Sequence, residues 1–268
     1  MAQPADRLTR FLPTRTQTRG AIIKAAHLQS EVCRVHGLVG ALGQLLNQSL
    51  IASILLLSIS KGGVRQILQL DGEQGPVARV LGEARRGQVR GYMEWKHGPI
   101  ISSGGKSPLS WMGRKIKCST VRDLGFGQPY VSTIMAQSDH LADVLVQYLM
   151  QSAQVKADMV LHKDLGLGIE AMPGCDEGLW FESVEQLAKI PDTDLEREPH
   201  HILRAFEPLG LQIVGEDDYT YHCSCRPEIM ARVLESMPPD SLKDLEDEAG
   251  RITLSCHYCG KSYHIRQG

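Results

Sequence analysis

Apolar and polar positions along this chain follow two different periods. Gly20–His27 reads as a strand, Gln29–His36 and Leu38–Ser60 carry helical spacing, and Val64–Leu70, Val77–Ala84, Gln88–Trp95, Arg114–Thr120 and Tyr130–Gln137 alternate as strands. The turn-forming stretches DGEQGP and ARRGQ separate the first three of that series. Asp139–Gln154 returns to helical spacing, with Leu141, Val144, Leu145, Tyr148 and Leu149 on one face and Asp139 placed to cap it. Short strands over Ala157–His162 and Gly168–Met172 precede Pro173–Gly174. Runs of strands with helices set apart predict an α+β fold rather than a regularly alternating parallel sheet.

Beyond Gly174 the pattern changes. FESVEQLAKI and DTDLEREPHHILRAF are short helical candidates with few core-type residues, marginal alone and in need of a neighbour; an ordinary solvated linker is the competing reading. Further on, Arg226–Ser236 predicts a helix with Pro227 in its first turn and Ile229, Val233 and Leu234 on one face. A second helix is expected over Asp240–Glu248, and RITLSC and KSYHIR read as a small hairpin.

Charge draws the same boundaries. Residues 1–175 hold 20 Lys/Arg against 12 Asp/Glu, residues 176–220 hold 3 against 12, and residues 221–268 hold 6 against 7. The predicted organisation is therefore an N-terminal mixed α/β domain (1–175), an acidic helical linker (176–220) and a small C-terminal domain (221–268).

Composition removes several function classes. Aromatics make up 5% of the 268 residues and the net charge is −2, so nothing global marks a nucleic-acid or membrane-surface binder. The most apolar run, Leu45–Ile59, is broken by Asn47, Gln48 and Ser49 and falls short of the roughly 20 residues a membrane span needs, which predicts a buried core helix. The N-terminus carries Arg7, Arg10, Arg15 and Arg19 without the apolar core of a secretory signal, and Pro4 and Pro13 spoil a transit-type amphipathic helix. A reducing, cytoplasmic compartment is expected, where close cysteine pairs serve metals or redox chemistry more often than structural disulfides.

Four of the seven cysteines form two tight pairs, Cys223-x-Cys225 and Cys256-x-x-Cys259, with thirty residues between them. Four soft thiolate donors on two knuckles match a tetrahedral, all-cysteine site for one zinc ion. Metal binding also explains how fewer than 50 residues with few apolar side chains can fold, because it can supply on the order of 10 kcal/mol. Four cysteines packed in a core fit the polar surroundings poorly. His222, His257 and His264 are near enough to replace one thiolate, though each reads first as a surface histidine. A thioredoxin-like use of CHYC would need its first cysteine at a helix start inside a βαβ unit, whereas the residues after Cys259 read as a strand. Cys33 and Cys118 are expected in core packing, and Cys175 at an exposed domain edge open to adventitious oxidation. No catalytic constellation is found. GGKSP lacks the first glycine of a phosphate loop, with Ile100 in its place, and the remaining histidines have no matching nucleophile or carboxylate pair.

The CxC, thirty-residue gap and CxxC resemble the bacterial redox-regulated chaperones of the heat-shock protein 33 family. YHCSCRPEIMARVLESMP and GRITLSCHYCGKSYHI are similar to that family's zinc domain, including Tyr263 after the second pair. Upstream, DRLTRFL, QTRGAII, ILQLDGEQGP, GQVRGYM, GQPYVSTI and YLMQSAQ resemble its N-terminal domain, and AMPGCDE its domain boundary. The similarity spans nearly the whole chain; it departs at Glu170, where the family pattern has an uncharged residue, and at LLLSISKGG.

The resemblance implies a holdase rather than an enzyme, inactive while reduced and zinc-bound. Peroxide or hypochlorous acid would convert Cys223 with Cys225 and Cys256 with Cys259 into disulfides, zinc would leave, and the zinc domain and linker would unfold. Residues 1–175 and the linker would then offer apolar surface to unfolded client proteins, the activated subunits would form homodimers, and thioredoxin or glutaredoxin systems would reset the switch. No nucleic acid and no membrane is expected as a partner. A zinc-ribbon nucleic-acid binder would need a basic, aromatic-studded face, which a zinc domain of net −1 beside a segment of net −9 does not offer. A thiol oxidoreductase would instead turn over disulfides repeatedly.

Overall fold

The computed structural model describes residues 4–60, 62–96, 107–238, 241, 242, 245, 247 and 251–266. Contacts divide the chain into two compact units, Met1–Tyr221 and His222–Gly268.

The larger unit is built on a ten-stranded sheet. In chain order its strands are β1 (Asp6–Pro13), β2 (Thr18–Lys24), β3 (Arg65–Gly72), β4 (Val77–Arg85), β5 (Gln88–Trp95), β6 (Lys115–Asp123), β7 (Tyr130–Gln137), β8 (Ala157–His162), β9 (Leu165–Ala171) and β10 (Leu211–Tyr221). Their spatial order is β7-β6-β3-β4-β5-β10-β1-β2-β9-β8. Two antiparallel half-sheets meet where β10 runs parallel to β5, through the pairs Thr220↔Gln88 and Tyr221↔Val89. Helices sit apart from this largely antiparallel sheet, so the architecture is α+β, as the sequence predicts.

Helix α2 (Gly40–Ile59) is the centre of the unit. It is long and apolar enough to cross a bilayer, but it is enclosed by sheet and neighbouring helices, with Leu45 through Leu57 all buried. Of its polar residues, Ser49 Oγ donates to the Leu45 carbonyl at 2.9 Å and Ser53 Oγ to the Ser49 carbonyl at 2.8 Å within the helix, while Asn47 Nδ2 reaches out to the Ala25 carbonyl at 3.4 Å. The helix lies close against both half-sheets because glycines make room for it. A Cβ at Gly82 on β4 would stand 2.5 Å from Ser53 Oγ, and one at Gly166 on β9 would stand 2.2 Å from Ile51. Helices α1 (Ala26–His36) and α3 (Leu141–Tyr148) complete this layer, which contains most of the core.

The opposite face of one half-sheet is covered by the acidic segment. Helix α4 (Glu177–Ala188) begins at Asp176, whose carboxylate accepts from the Gly178 N–H at 2.8 Å. Helix α5 (Pro199–Leu203) runs into a 3-10 turn over Arg204–Leu209. Trp180, Leu187, Leu195, Ile202, Leu203, Phe206 and Leu209 form a second core with Phe11, Ile22, Leu165, Leu167 and Ile169 of the sheet. Most core-type residues of this segment are turned to one side, where they find the neighbour such short helices need, while Phe181 on α4 stays exposed.

Two strands escape the periodicity reading. β1 carries Arg7 and Arg10, and β10 carries Glu216, Asp217 and Asp218, so each looks solvated when read singly. Paired side by side, they exchange charges: Arg7 reaches Asp218 at 2.9 Å and Glu216 at 3.3 Å, and Arg10 reaches Asp217 at 2.6 Å. One expectation is corrected at α3, which starts at Leu141 after His140. Asp139 lies outside it, and its carboxylate faces Arg114 at 3.4 Å rather than the helix N–H groups.

The smaller unit contains helix α6 (Pro227–Glu235) and the hairpin β11 (Arg251–Ser255) and β12 (Ser262–Arg266). Its described core is Leu234, Leu242 and Ile252, with Met237, Leu254 and Ile265 half-buried against them. The helix expected over Asp240–Glu248 lies largely outside the described residues.

Candidate metal centre

Each knuckle follows from local backbone geometry. Cys223 and Cys225, two apart, lie in residues 222–226, a stretch that is neither helix nor strand. Cys256 directly follows β11, and the chain then turns sharply: the Gly260 N–H donates to the Cys256 carbonyl at 2.8 Å and the Cys256 N–H to the Lys261 carbonyl at 2.9 Å. Gly260 has φ +69°, a conformation that suits glycine best. Cys259 is carried back inside this turn.

The four sulfurs converge, all within 4.8 Å of one another. Cys223 Sγ stands 3.7 Å from Cys256 Sγ and Cys225 Sγ 3.1 Å from Cys259 Sγ, so each knuckle makes sulfur contacts with the other. A tetrahedron with metal–sulfur bonds of about 2.3 Å has edges of about 3.8 Å, close to this arrangement. Cys256 is buried and the other three are half-buried. Among the described residues no histidine joins the cluster; His264 instead places Nδ1 2.9 Å from Thr253 Oγ1.

Four thiols in such contact cannot readily all ionise on their own, since each anion raises the energy of the next. Burial pushes the Cys225 thiol up, but hydrogen bonds from Tyr263 and from the neighbouring cysteines outweigh it and bring it down to about 7. Burial first, then neighbouring sulfur, pushes Cys223 and Cys259 upward. The Tyr263 hydroxyl lies 3.1 Å from Cys225 Sγ and is held protonated by that hydrogen bond. A divalent cation among the sulfurs would reverse this balance and favour four thiolates. The donor set and its geometry therefore fit a thiophilic metal ion.

The other cysteines lie elsewhere. Cys118 is buried in the main core and burial pushes its thiol up to about 12. Cys33 is half-buried, with Gln29 Nε2 3.4 Å from its sulfur. Cys175 is half-buried rather than open; its thiol donates to the Thr16 carbonyl at 3.2 Å, and burial raises its pKa. The link between Tyr263 and Cys225 does not follow from the cysteine spacing. Its sequence signal is an aromatic four residues after Cys259, where β12 brings it back past the knuckle.

The family model described as Hsp33 protein matches residues 6–266. The chain belongs to the Hsp33 family. Relatives named 33 kDa chaperonin include that of Geobacter sulfurreducens, 28% identical over 97% of this chain and 92% of the relative. Those of Shewanella loihica, at 26% over 96% and 92%, and Geobacillus kaustophilus, at 25% over 97% and 94%, are similar at comparable length. The crystal structure of the 33 kDa chaperonin (Hsp33 homolog) from Thermotoga maritima shares the fold, with a TM-score of 0.78 at 22% identity over 97% of this chain and 94% of that one. Chaperonin, the name these Hsp33 relatives carry, denotes a non-enzymatic function. The resemblance read from the cysteine spacing thus names the right family.

Proposed function

We propose that this chain is a redox-switched holdase in which the four-cysteine cluster is both the stabiliser of the smaller unit and its trigger. The observation that carries the reading is that Cys223, Cys225, Cys256 and Cys259 converge within 4.8 Å in a unit whose described core has only three buried apolar side chains. So small a core leaves the fold dependent on a metal cross-link. One zinc ion bound there would tie the two knuckles together and hold all four sulfurs as thiolates.

Oxidation then dismantles what it attacks. A cysteine thiolate attacks one oxygen of hydrogen peroxide and, with a proton, releases water, leaving a sulfenic acid; a second cysteine attacks that sulfur and expels another water. Two thiols and one peroxide become one disulfide and two waters. Pairing Cys223 with Cys225 and Cys256 with Cys259, repeated over both pairs, consumes every ligand. The reading is supported by the proximity of each pair along the chain and by the half-exposed sulfurs of Cys223, Cys225 and Cys259.

The reading divides the chain into a client-binding and dimerising domain at 1–175, a metastable linker at 176–220 and the switch at 221–268. Cys223 follows Tyr221, the last residue of β10, by two positions, so collapse of the switch acts directly on the end of that strand. The linker's seven buried apolar side chains cover Phe11, Ile22, Leu165, Leu167 and Ile169, and its release frees both surfaces for unfolded clients in the cytoplasm. Activated subunits dimerise, and thioredoxin or glutaredoxin systems reduce the disulfides.

The test is a peroxide titration of reduced protein at elevated temperature, following zinc release and suppression of a denaturing client's aggregation in the same samples. Both should rise together from an inactive reduced state. Zinc release without any gain in client protection would leave the cluster a purely structural site.

A further inference from the structure

The ten-stranded sheet ends in two edges that are built very differently. β8 is guarded: Asp158 is a half-buried charge on the strand itself, none of its six residues is fully exposed, and Lys156–Glu177 and Lys163–Glu196 ion pairs flank its ends at 3.6 and 2.5 Å. β7 has no such guard. Its sequence, YVSTIMAQ, contains no charge, glycine or proline.

Ile134 and Ala136 of β7 turn into the core, but Tyr130, Val131 and Met135 are 62%, 69% and 55% exposed, and Phe126 in the preceding turn is 75% exposed. Val131 stands opposite Val121 of β6, which stands opposite Ile67 of β3, so the apolar strip continues inward across the sheet. Among the described residues, β7 pairs on one side only, with β6, and its outer backbone groups have no partner. An uncharged edge with exposed apolar side chains is a template for another strand. On the same face, Lys117 lies opposite Met135 and Lys115 opposite Gln137; both lysines are exposed and neither has an ion-pair partner among the described residues.

We propose that β7 is a strand-addition site for an extended segment of unfolded polypeptide, apolar at alternate positions and flanked by acidic residues. This rests on the holdase reading and assigns it a client contact. Main-chain hydrogen bonds supply sequence-tolerant affinity, as varied clients require, while Val131 and Met135 receive alternate side chains and Lys115 and Lys117 select an acidic flank. A second copy's β7 fits less well, because it brings no acid to those lysines. The edge is open while the linker is docked, so it supplies a weak, constitutive contact; release of the linker adds a second surface on the same chain and converts that contact into a tight one.

The test uses the reduced, metal-loaded full chain and a short synthetic peptide alternating valine and threonine with an aspartate at each end. Its control is the same peptide N-methylated at every second residue. Backbone amides of β7 should shift and gain protection with the first peptide and not with the second. The double variant V131K/M135K, changed at exposed positions, should lose that response while keeping the wild-type spectrum elsewhere. In the oxidised state it should suppress client aggregation more weakly than wild type. An unchanged β7 spectrum on adding the peptide overturns the proposal, as does concentration-dependent self-association through β7 that the peptide does not displace. If oxidised wild type suppresses aggregation and the double variant equals it, the edge is not a client site although the holdase reading stands. If oxidised wild type suppresses nothing, the holdase reading fails and this assignment of a client contact falls with it.

Discussion

Phe11 of β1 and Phe206 of the acidic segment meet with ring centroids 5.0 Å apart and planes inclined at 49°, both completely buried. The pair joins the sheet to the segment that covers it. A second tie lies nearby, where the hydroxyls of Thr16, Thr18 and Ser183 form a closed, buried ring with spacings of 2.8 to 2.9 Å. One contact is apolar and the other polar, yet both hold the same cover in place.

Phe206→Ala should therefore loosen the cover selectively. Emptying a fully buried aromatic site costs about 3–5 kcal/mol, comparable to the whole stability expected of a docked segment this short. The reduced, zinc-loaded variant is expected to show faster hydrogen exchange across α4 and to suppress client aggregation without oxidant. Exchange at wild-type rates across Glu177–Ala188 would show that the segment is held by something other than this core.

Metal removal should discriminate between the two units. Chelation, or Cys259→Ser in reduced protein, is expected to melt residues 222–266 while the amides of α2 and of β3 to β6 keep their protection, since the larger unit's main core contains none of the four cysteines. The measurement is residue-resolved hydrogen exchange with and without a chelator. Cooperative loss of protection in α2 as well would refute an independent larger core.

Two buried carboxylates should bend the pH–stability curve in opposite directions. Burial works against ionisation of Glu83, but hydrogen bonds and charge from Arg90, Arg65 and Arg85 prevail and hold its pKa below the usual range. The guanidiniums lie 2.7, 2.9 and 3.2 Å away. Glu83 thus contributes stability above its unfolded pKa, and that contribution is lost as pH falls through the folded value. Asp6 caps α1 through the His27 and Leu28 N–H groups at 3.1 and 2.7 Å, yet burial outweighs those bonds and raises its pKa. Its sign is reversed: the favourable contribution is present below the unfolded pKa and fades as pH rises through the folded one. Glu83→Gln should lower stability near neutrality by about 1–3 kcal/mol, discounted because Arg85 is half in water, and flatten the acid limb of the curve. Asp6→Asn keeps one of the two acceptors and turns an amide NH2 toward the other N–H, so it should cost some stability at every pH while abolishing the decline with rising pH that Asp6 causes. Urea midpoints between about pH 3 and 7 decide both signs.

The parts of this molecule legible from sequence are those whose signal is local. The strand-forming stretch Val64–Leu70 before the turn DGEQGP and the long, mostly apolar run of α2 identify themselves, as do two cysteine pairs whose spacing already implies a knuckle. β1 and β10 are illegible one at a time because the charges that look solvated are cross-strand partners more than 200 residues apart, as in Arg7 with Asp218. Asp139 is misread for a related reason: Arg114, distant in sequence, competes for its carboxylate and wins. The approach of sulfurs across the two knuckles and the arrival of Tyr263 beside Cys225 depend on the hairpin closing, which no local pattern encodes.

That hydroxyl sets the last expectation. Tyr263 donates to the sulfur of Cys225 at 3.1 Å, and a donor to a thiolate withdraws charge from the atom that must attack peroxide. Tyr263→Phe keeps the ring and removes the donor. Losing one such hydrogen bond is worth about 1 kcal/mol, so peroxide should consume the thiols several-fold faster, with zinc released correspondingly sooner. The ring sits at the start of β12 on a partly exposed position, so the hairpin should fold normally. Stopped thiol-titration time courses on wild type and variant give the answer. Equal rates would mean that attack begins at a cysteine other than Cys225, and the same measurement on single Cys→Ser variants would then identify which one.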